Sequence, residues 1–551
     1  MRLPGATQSA ARLEFDRLGR RIGVTSRGGH RECGRIATHS LPIKWLERIP
    51  GTQVKNAFDD ARRNAPLSCA IQETPHRRLQ RLTMTLQDSP SILIAMSSST
   101  GHVNGSLGVA DRLRTAGYKV IYLGSSKIEA TVVRQGFDFR YAPYLESIPV
   151  PFGFRHRPAW PTQGLFRYLS ETRAKSTQAR RDVQKLLQDL PEYSRQVDEL
   201  IQDTRPSLLI FSPFVLLFYI LFHKHGIPAA TLSTKPLLDK DPLVPPYLAH
   251  HIPDDSVQSR ARVEFEWLWC AAKYRLWEMY EQLMSGMSYR GLAAAMAKPC
   301  SFPIESEWAT RPVLFDLKFR SLPELVLHAR ELDLPRKKPL SKQVHYLGPN
   351  VHIQRRDDTF AWEEIAPRGK LIYCSFSTVL HPKAIATHTR FFRELLRAMA
   401  GRPEDTLILS LGPALSREAL SPIPGNVHVF PRVPQLEVLE KADLFITHGG
   451  SNSVKEAISV GVPMLVYPGR ADQPGLSARV VRLGLGERGD VHLATAADIA
   501  RLMDRVLGEP KYRAELAKAQ DIVRAYDARN TTAETIRQLI ASRQGPSPQA
   551  P

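Results

Sequence analysis

The sequence predicts an α/β protein built from doubly wound parallel sheets. Short apolar runs of strand type alternate with longer stretches of helical pattern, first over residues 91–335 and again over residues 342–510. Glycine and proline separate many of the runs, as at residues 226–228 and 461–463. This alternation is typical of parallel sheets covered by helices on both faces. With 551 residues, of which 43% are hydrophobic, the chain is long enough for two to four domains.

The first strand-helix unit begins with the apolar run SILIAM at residues 91–96. A loop, SSSTGHVNGSLG, follows, and then a helix over residues 107–116 and a strand over residues 118–123. The loop glycines do not form G-x-G-x-x-G, which argues against a nicotinamide dehydrogenase. His102 in this loop is a candidate general base, because imidazole titrates near neutrality. The alternative is an exposed loop histidine without a chemical role.

The same alternation continues through the rest of the first region. We expect helical structure at residues 165–203 and 215–225, and strands at residues 207–211 and 229–232. The most apolar segment has about 15 residues, whereas a membrane span needs roughly 20. It is therefore interpreted as a buried strand followed by a buried helix. Tyrosines and tryptophans recur at helical spacing between residues 240 and 320, which indicates core packing or, alternatively, a cleft for a hydrophobic ligand.

The second region contains the most informative segment of the chain. A strand at residues 443–447 leads into His448 and two glycines, and a helical pattern begins close to Ser453. The first N–H groups of a helix are unpaired and carry a partial positive charge, so they can bind a phosphate without a metal. Glycines let the anion approach the backbone closely. An alternative is that Ser453 and Glu456 form a capping box with a purely structural role.

Over nearly forty residues, from Thr447 to Leu485, these parts follow in the order H-G-G-x-N-S-x-x-E and then Asp-Gln. The segment resembles the donor-binding signature of the UDP-glycosyltransferase superfamily, and favours its macrolide and natural-product members over sugar-nucleotide epimerases. The resemblance extends over about residues 90–530. It implies two facing Rossmann-like domains (the GT-B architecture) with the active site in the cleft between them. The N-terminal domain at residues 91–335 would bind the acceptor, and the C-terminal domain at residues 342–510 would bind the nucleotide sugar.

The resemblance also implies roles for the residues around the helix start. His448 would contact the β-phosphate of the donor. Gly450, Asn452 and Ser453 would hold the α-phosphate. Glu456 would accept hydrogen bonds from the ribose hydroxyls, which suits a carboxylate. These five residues form the expected diphosphate and ribose site.

Further donor contacts are implied on both sides of that segment. Asp472 and Gln473 would hold hydroxyls of the transferred sugar. Gln435, in the sequence FPRVPQ, would bind the nucleobase, and Arg432 would stack on it where plant members carry tryptophan. Thr378 would contact the diphosphate, although the family's preceding glycine is a serine in this chain. The expected donor is a UDP-hexose, with a dTDP-sugar as the alternative, and no other cofactor or metal is expected.

On the acceptor side the resemblance implies that His102 is the catalytic base. Family members orient this histidine with an aspartate after a later strand, and Ser212 stands at that position here. A serine cannot stabilise an imidazolium as a carboxylate does. Asp239 and Asp241 follow the next strand and remain alternatives, so the partner of His102 is left open. The implied reaction is direct displacement with inversion at the anomeric carbon, and the acceptor is a hydroxyl of a lipophilic small molecule or lipid.

Composition and the chain ends add further expectations. The net charge is +20, but the basic residues are dispersed, so nucleic-acid binding is not favoured and a peripheral contact with a membrane surface stays open. Residues 1–90 carry 16 Lys/Arg and 8 Asp/Glu and are expected to form a poorly ordered extension. The cysteine spacing predicts neither a zinc site nor a disulfide framework, and a cytoplasmic location is expected. Helices at residues 511–541 would cross back to the first domain. A catalytically degenerate homologue that binds a nucleotide sugar, or activates a partner enzyme, is the second hypothesis.

Overall fold

The computed structural model describes residues 89–146, 165–309, 317–355, 360–365, 367–376 and 382–542. Apart from Ser89 and Pro90, the predicted N-terminal extension lies outside these residues. Within the described residues, no helix is both long and apolar enough to cross a membrane.

The N-terminal region contains nine described strands, β1 to β9. They are β1 (Ser91–Ala95), β2 (Lys119–Gly124), β3 (Asp138–Tyr141), β4 (Pro206–Phe211), β5 (Ala229–Ser233), β6 (Trp308–Ala309), β7 (Lys318–Phe319), β8 (Glu324–Val326) and β9 (Val344–Tyr346). Seven of them form one sheet in the order β3-β2-β1-β4-β5-β8-β9, and β6 and β7 form a separate antiparallel pair. Every neighbouring pair in the seven-stranded sheet is parallel, as predicted.

Helices connect and cover these strands. They are α1 (Thr100–Thr115), α2 (Ser126–Arg134), α3 (Leu165–Gln188), α4 (Leu190–Thr204), α5 (Tyr219–Phe222), α6 (Val257–Ser285), α7 (Tyr289–Ala297) and α8 (Ile304–Glu307). The apolar run after residue 208 is a buried strand followed by short buried helical turns, which agrees with the prediction made against a membrane span.

Helix α1 differs from the prediction in a way that matters for the site. It begins at Thr100, seven residues before the expected start, because the segment between β1 and residue 107 is mostly helical rather than a loop. The two glycines that suggested a loop, Gly105 and Gly108, instead permit close packing. A Cβ at Gly108 would lie 1.8 Å from the Asn350 carbonyl oxygen. His102 is therefore held on the first turn of a helix.

The C-terminal region contains a second parallel sheet. Its strands are β10 (Leu371–Ser375), β11 (Thr406–Ser410), β12 (Val427–Phe430), β13 (Leu444–Thr447), β14 (Met464–Val466) and β15 (Gly486–Arg488), in the order β12-β11-β10-β13-β14-β15. Its helices are α9 (Pro382–Ala400), α10 (Gln435–Lys441), α11 (Ser451–Val460), α12 (Gln473–Arg482) and α13 (Ala496–Gly508). Two further helices, α14 (Pro510–Ala528) and α15 (Thr531–Ala541), complete the described chain.

The boundary between the two sheets lies later than expected. Strand β9 pairs with β8, so the first sheet includes Val344–Tyr346, which the sequence had suggested for the second domain. The last helix returns to the first domain as expected. Ile536 of α15 is buried with the side chains of β1 and β2, and Thr532 Oγ1 donates a 2.9 Å hydrogen bond to Asn350 Oδ1.

Both sheets have a point where the strand order reverses, beside β1 in the first and beside β10 in the second. Ligands of open parallel sheets bind outside the carboxyl ends of the strands at such points. The segments that follow β1, β4 and β5 in one domain, and β10, β13 and β14 in the other, are therefore the places where a site is expected.

Candidate functional site

The start of α11 is shaped by two glycines. Gly449 has a φ of +78°, and a Cβ there would lie 2.6 Å from a Val466 side-chain carbon. A Cβ at Gly450 would lie 2.6 Å from His448 Nε2. Gly450 is the N-cap residue, and within the described residues the first N–H groups of α11 have no side-chain cap. Because the helix begins at Ser451, Ser453 lies within its first turn, and the capping-box interpretation of Ser453 and Glu456 is wrong.

His448 follows β13 directly and faces the backbone of Ser375 at the end of β10. Burial lowers the pKa of His448 to about 4, an effect that a hydrogen bond with the Ser375 backbone opposes. The imidazole is thus neutral at physiological pH and has one N–H to donate. Its buried Nδ1 has no hydrogen-bond partner within the described part of the chain. The other ring nitrogen, Nε2, is the one on the side of Gly450 at the start of α11, where an anion could accept its proton.

Three predicted donor residues are linked in one network. Gln435 Nε2 donates to Glu456 Oε2 over 2.6 Å and lies 3.4 Å from Ser453 Oγ. The other oxygen of Glu456 accepts from Arg355 Nη1 over 3.1 Å, and both side chains are buried. The structure therefore brings Gln435, Ser453 and Glu456 together as predicted. Arg355 was not predicted, and a ribose hydroxyl would share Glu456 with this guanidinium.

Asp472 and Gln473 lie at the start of α12, after β14. The amide oxygen of Gln473 accepts 2.9 Å hydrogen bonds from the N–H groups of Gly469 and Arg470, so it holds its own loop in place. Within the described residues, no hydrogen bond to the half-buried Asp472 carboxylate is found. Asp472 is therefore available for a sugar hydroxyl, whereas Gln473 would contribute only its NH₂ group.

The expected nucleobase contacts are less complete. Arg432 is exposed at the end of β12 and lies two residues after Phe430. Phe430 packs against Phe360, with ring centroids 5.2 Å apart, and Phe360 packs against Trp362 at 4.9 Å. Aromatic surface thus lies beside the position where Arg432 was expected to stack. Thr378, and the serine before it, lie outside the described residues.

On the facing side, His102 contacts Ser97 and Phe214, and Lys235 lies on the same Phe214 ring. His102 Nδ1 lies 2.6 Å from Ser97 Oγ, and its ring packs on Phe214 with centroids 4.5 Å apart. Lys235 Nζ lies 4.6 Å from the centre of the same Phe214 ring. Burial, with a smaller contribution from the Lys235 cation, lowers the pKa of His102 to about 3. Ser97, Phe214 and Lys235 follow β1, β4 and β5, whose carboxyl ends lie side by side.

Neither aspartate left open by the sequence pairs with His102. Both Asp241 carboxylate oxygens accept hydrogen bonds from backbone N–H groups, those of Leu243, Lys337 and Lys338. Asp239 lies 3.6 Å from Lys318. Ser212 is buried, and its N–H donates to the Ala95 carbonyl within the sheet edge. In the described structure the hydrogen-bonding partner of His102 is the hydroxyl of Ser97.

The two halves meet at the start of α1. Asn452 Nδ2, on the first turn of α11, donates a 2.5 Å hydrogen bond to the carbonyl of Gly101, the residue before His102. A Cβ at Gly105, one turn along α1, would lie 2.9 Å from Asn452 Oδ1. A second contact joins Gly475 N–H on α12 to the Tyr247 carbonyl at 2.8 Å. The residue next to His102 is therefore hydrogen-bonded to the first turn of α11.

A buried polar cluster lies behind this contact. His328 Nε2 is 3.1 Å from Ser451 Oγ and 3.2 Å from the Thr234 carbonyl, and Ser451 Oγ also donates to that carbonyl. One turn further along α11, Lys455 is buried, and its Nζ has no hydrogen-bond partner within the described residues. With His328, Lys455 lines a cavity of about 20 Å³, which is room for about one water. Burial lowers the pKa of Lys455 to about 8 against the opposing effects of Glu456 and Asp472.

Sequence reasoning missed four residues that the structure places at the site: Ser97, Lys235, Arg355 and Lys455. Ser97 and Lys235 each stand two residues after a strand, and that position is the signal that could have found them. Arg355 and Lys455 carry no such signal, because only the packing of the two domains brings them to Glu456 and His328. Among the residues that the structure describes, no group of three or more His, Cys, Asp or Glu residues is arranged to hold a metal ion.

Comparison with known proteins agrees with this geometry. Residues 394–541 match the family model described as "Erythromycin biosynthesis protein CIII-like, C-terminal domain". The chain is 34% identical over 174 residues to an uncharacterized UDP-glucosyltransferase, YdhE, of Bacillus subtilis. The aligned residues are 31% of this chain and 42% of the relative. It is 28% identical over 183 residues to the oleandomycin glycosyltransferase of Streptomyces antibioticus, covering 31% and 41%. The chain thus matches less than half the length of these two relatives.

The fold comparison extends further along the chain. The crystal structure of CalG4, the calicheamicin glycosyltransferase, superposes with a TM-score of 0.55 and 19% identity. The match covers 83% of this chain and 100% of that one, so both sheets are included. Residues 394–541 are thus similar to the C-terminal domain of that family, and the chain has the two-domain GT-B fold of the calicheamicin glycosyltransferase.

Proposed function

We propose that the protein is an inverting glycosyltransferase that moves a hexose from a nucleoside-diphosphate sugar to a hydroxyl group of a lipophilic acceptor. The donor we propose is a UDP-hexose, with a dTDP-hexose as the alternative. The observation that carries the proposal is the hydrogen bond from Asn452 to Gly101. It sets the imidazole of His102 beside an uncapped helix start that can bind a diphosphate.

In this mechanism the diphosphate binds at the first turn of α11. The N–H groups there, together with the neutral His448, are donors that need no reorganisation when the leaving group gains charge. Nearby cationic side chains, Lys455 and Arg355, add positive charge on the same side of the cleft. The leaving nucleoside diphosphate is thereby stabilised as the anomeric bond breaks.

His102 Nε2 takes the proton of the acceptor hydroxyl as its oxygen attacks the anomeric carbon. For this role Nδ1 must carry a proton and donate it to Ser97 Oγ, because a neutral imidazole has one acceptor nitrogen. A pKa of about 3 makes His102 a weak base in the free protein. The bound diphosphate brings negative charge into the cleft and raises the pKa of His102, so we expect the base to gain strength only after the donor binds.

The lipophilic acceptor is inferred from the surroundings of His102. Phe214 packs on the His102 ring, Lys235 lies over both the Phe214 and the Tyr247 rings, and Trp267 is buried with Tyr247. The relative named oleandomycin glycosyltransferase supports a natural-product hydroxyl as the acceptor class. We also propose a peripheral contact with a membrane surface, which would suit a lipid acceptor.

The decisive experiment is transfer by pure protein. Each of a set of UDP- and dTDP-hexoses is incubated with a panel of lipophilic alcohols, and products are detected by mass spectrometry. We expect at least one glycoside, with an anomeric configuration opposite to that of the donor by NMR. We also expect a chelator to leave the rate unchanged. Retention of configuration, or no turnover with any donor, would reject the proposal.

A second candidate function is donor binding without transfer. The observation in its favour is that His102 contacts the Ser97 hydroxyl instead of a carboxylate. The pKa of His102 is also lowered, by burial and by the Lys235 cation. Calorimetry then provides the discriminating measurement. If the donor binds and neither transfer nor donor hydrolysis is detected over a day, this candidate is favoured. Detectable hydrolysis would exclude it.

A further inference from the structure

Helix α6 has a long apolar face that is exposed to solvent. Beyond Val257 in its first turn, six large apolar side chains of the helix are more than half exposed: Phe265, Leu268, Trp269, Leu276, Met279 and Leu283. At about 100° per residue they fall within an arc of about 100°, and they extend over about 27 Å of the helix. We refer to these six side chains as the apolar stripe. A stripe of this width normally faces a protein core.

The opposite face of α6 already has its partners. Val263 and Trp267 are buried against Leu238 and Tyr247, and Trp267 Nε1 donates a 2.9 Å hydrogen bond to the Val244 carbonyl. The stripe is therefore additional to the surface that holds the helix on the domain. Exposed apolar patches of this extent mark interaction surfaces.

Charge next to the stripe indicates the kind of partner. Helix α3 packs along α6, where Ser176 Oγ donates to the Met284 carbonyl at 2.6 Å and Arg180 donates to the Leu283 carbonyl at 3.3 Å. By sequence α3 carries six Lys/Arg and two Asp/Glu, whereas α6 carries four of each. On α6 itself, Lys273 borders the stripe, with its Nζ 4.9 Å from the centre of the Trp269 ring.

We propose that the apolar stripe docks the protein on an anionic lipid bilayer, with α6 lying in the plane of the interface. Apolar side chains with tryptophan enter the headgroup boundary, and neighbouring lysines and arginines bind acidic headgroups. A second copy of the chain fits less well. Pairing two stripes would bring two basic α3 helices together in a chain whose net charge is already +20.

The position of the stripe also bears on the acceptor. The buried face of α6 packs on Tyr247, and Lys235 Nζ lies 5.2 Å from the centre of the Tyr247 ring and also contacts the ring that stacks on His102. A docked α6 would thus hold the acceptor side of the cleft close to the lipid surface. This link, unlike docking itself, rests on the proposed function, and it names membrane-resident alcohols as the acceptor class.

Docking is tested by sedimentation of the full chain with vesicles. We expect binding to phosphatidylcholine vesicles that contain phosphatidylglycerol, and much weaker binding to pure phosphatidylcholine or in high salt. Leu276→Glu and Leu268→Glu should each lower the partition coefficient about tenfold. Leu493→Glu is the matched control, because Leu493 is 74% exposed and lies in the C-terminal region, and it should bind as the original protein does.

Several outcomes would overturn the proposal. One is unchanged vesicle binding by both stripe variants, and another is no binding by the original protein. A third outcome is measured by light scattering without vesicles. If the original protein is a dimer and Leu276→Glu dissociates it, a second copy of the chain covers the stripe. Transfer to a detergent-dispersed acceptor is measured separately. Vesicle binding without transfer rejects only the proposed function, and transfer without vesicle binding rejects only the docking surface.

Discussion

The proposed donor side and the proposed acceptor side of the site are formed by different parts of the protein. On the donor side, the central feature is backbone: a positive-φ glycine, a second glycine and an uncapped helix start. On the acceptor side, the central feature is a set of side chains, in which His102 is paired with Ser97 and lies near Lys235. Backbone donors depend on the path of the chain, whereas a base depends on every group that surrounds it. The donor side can therefore keep its chemistry through much sequence change, and the acceptor side cannot.

Electrostatics follow the same division. On the donor side, cations lie close to a site for an anion, and the paired Glu456 is neutralised by Arg355. On the acceptor side, the nearest charge to His102 is a cation, which opposes formation of the imidazolium. Under the proposed function, the free protein would thus favour donor binding and oppose proton transfer. The predictions below test this division.

The largest effect is expected for His102→Ala. Loss of the general base should lower kcat about a thousandfold, because positioned proton transfer is worth that order of rate. Donor affinity should stay within about twofold, since the backbone site on α11 is untouched. Steady-state kinetics and donor titration by calorimetry make the measurement. His492→Ala, an exposed histidine outside the cleft, is the control, and equal losses of kcat and donor affinity would break the comparison.

Lys455→Met tests the charge buried on the donor side. The folded-state pKa of about 8 lies below the ordinary value of 10.5, so holding the proton on Lys455 destabilises the fold at neutral pH. The difference corresponds to about 3 kcal/mol. Denaturant unfolding at pH 7 should show a gain of that order, together with weaker donor binding because a cation near the diphosphate is lost.

The pH dependence of stability provides the second measurement on Lys455. The unfolded chain binds a proton at this position up to about pH 10.5, and the folded chain releases it near pH 8. Its destabilising contribution should therefore decline as pH rises between those values. The difference in stability between Lys455→Met and the original protein should shrink over the same window. A constant difference would contradict the assignment of a buried cation.

Gly449→Ala tests whether the donor site depends on the chain path. Its φ of +78° and the 2.6 Å approach to Val466 make any side chain strained, at a cost of about 2 kcal/mol. We expect that loss in unfolding free energy and more than tenfold weaker donor binding. The control is Gly425→Ala, because a Cβ at Gly425 meets no atom within 4 Å. Unchanged donor affinity in Gly449→Ala would show that side chains, not the turn, bind the donor.

Ser97→Asp should have the smallest effect and the opposite sign. A carboxylate at Nδ1 of His102 favours the imidazolium and should raise the pKa of His102 by about 1 unit. The acid limb of the pH profile of kcat should move to higher pH, and the rate at neutral pH should rise about threefold, because general-base catalysis follows base strength only in part. Ser97→Asn keeps a similar size without the charge and should not reproduce the gain. A slower Ser97→Asp enzyme would mean that base strength does not limit transfer.

Much of the donor side could be predicted from the sequence. His448, the two glycines and Glu456 are close in sequence, so local spacing is sufficient to bring them to one strand end and one helix. The misplaced start of α1 has a physical cause as well. Glycine-rich segments suggest loops, but Gly105 and Gly108 lie within a helix where other chain segments pack too closely to leave room for a Cβ. Ser453 and Glu456 resembled a capping box because of their S-x-x-E spacing, but α11 begins two residues earlier, at Ser451.

The sequence by itself determined the two parallel sheets, the glycine turn at the start of α11 and the identity of His102 as the candidate base. These features depend on short-range patterns of apolar, glycine and polar residues. Only the tertiary structure decided that Ser97 and Lys235 surround His102, that Arg355 binds Glu456 and that Asn452 reaches Gly101. Most of these contacts join segments that are far apart in the chain. The contact between Ser97 and His102 is local, but it depends on the early start of α1. A local sequence pattern does not predict such contacts, because they form only when the two domains pack together.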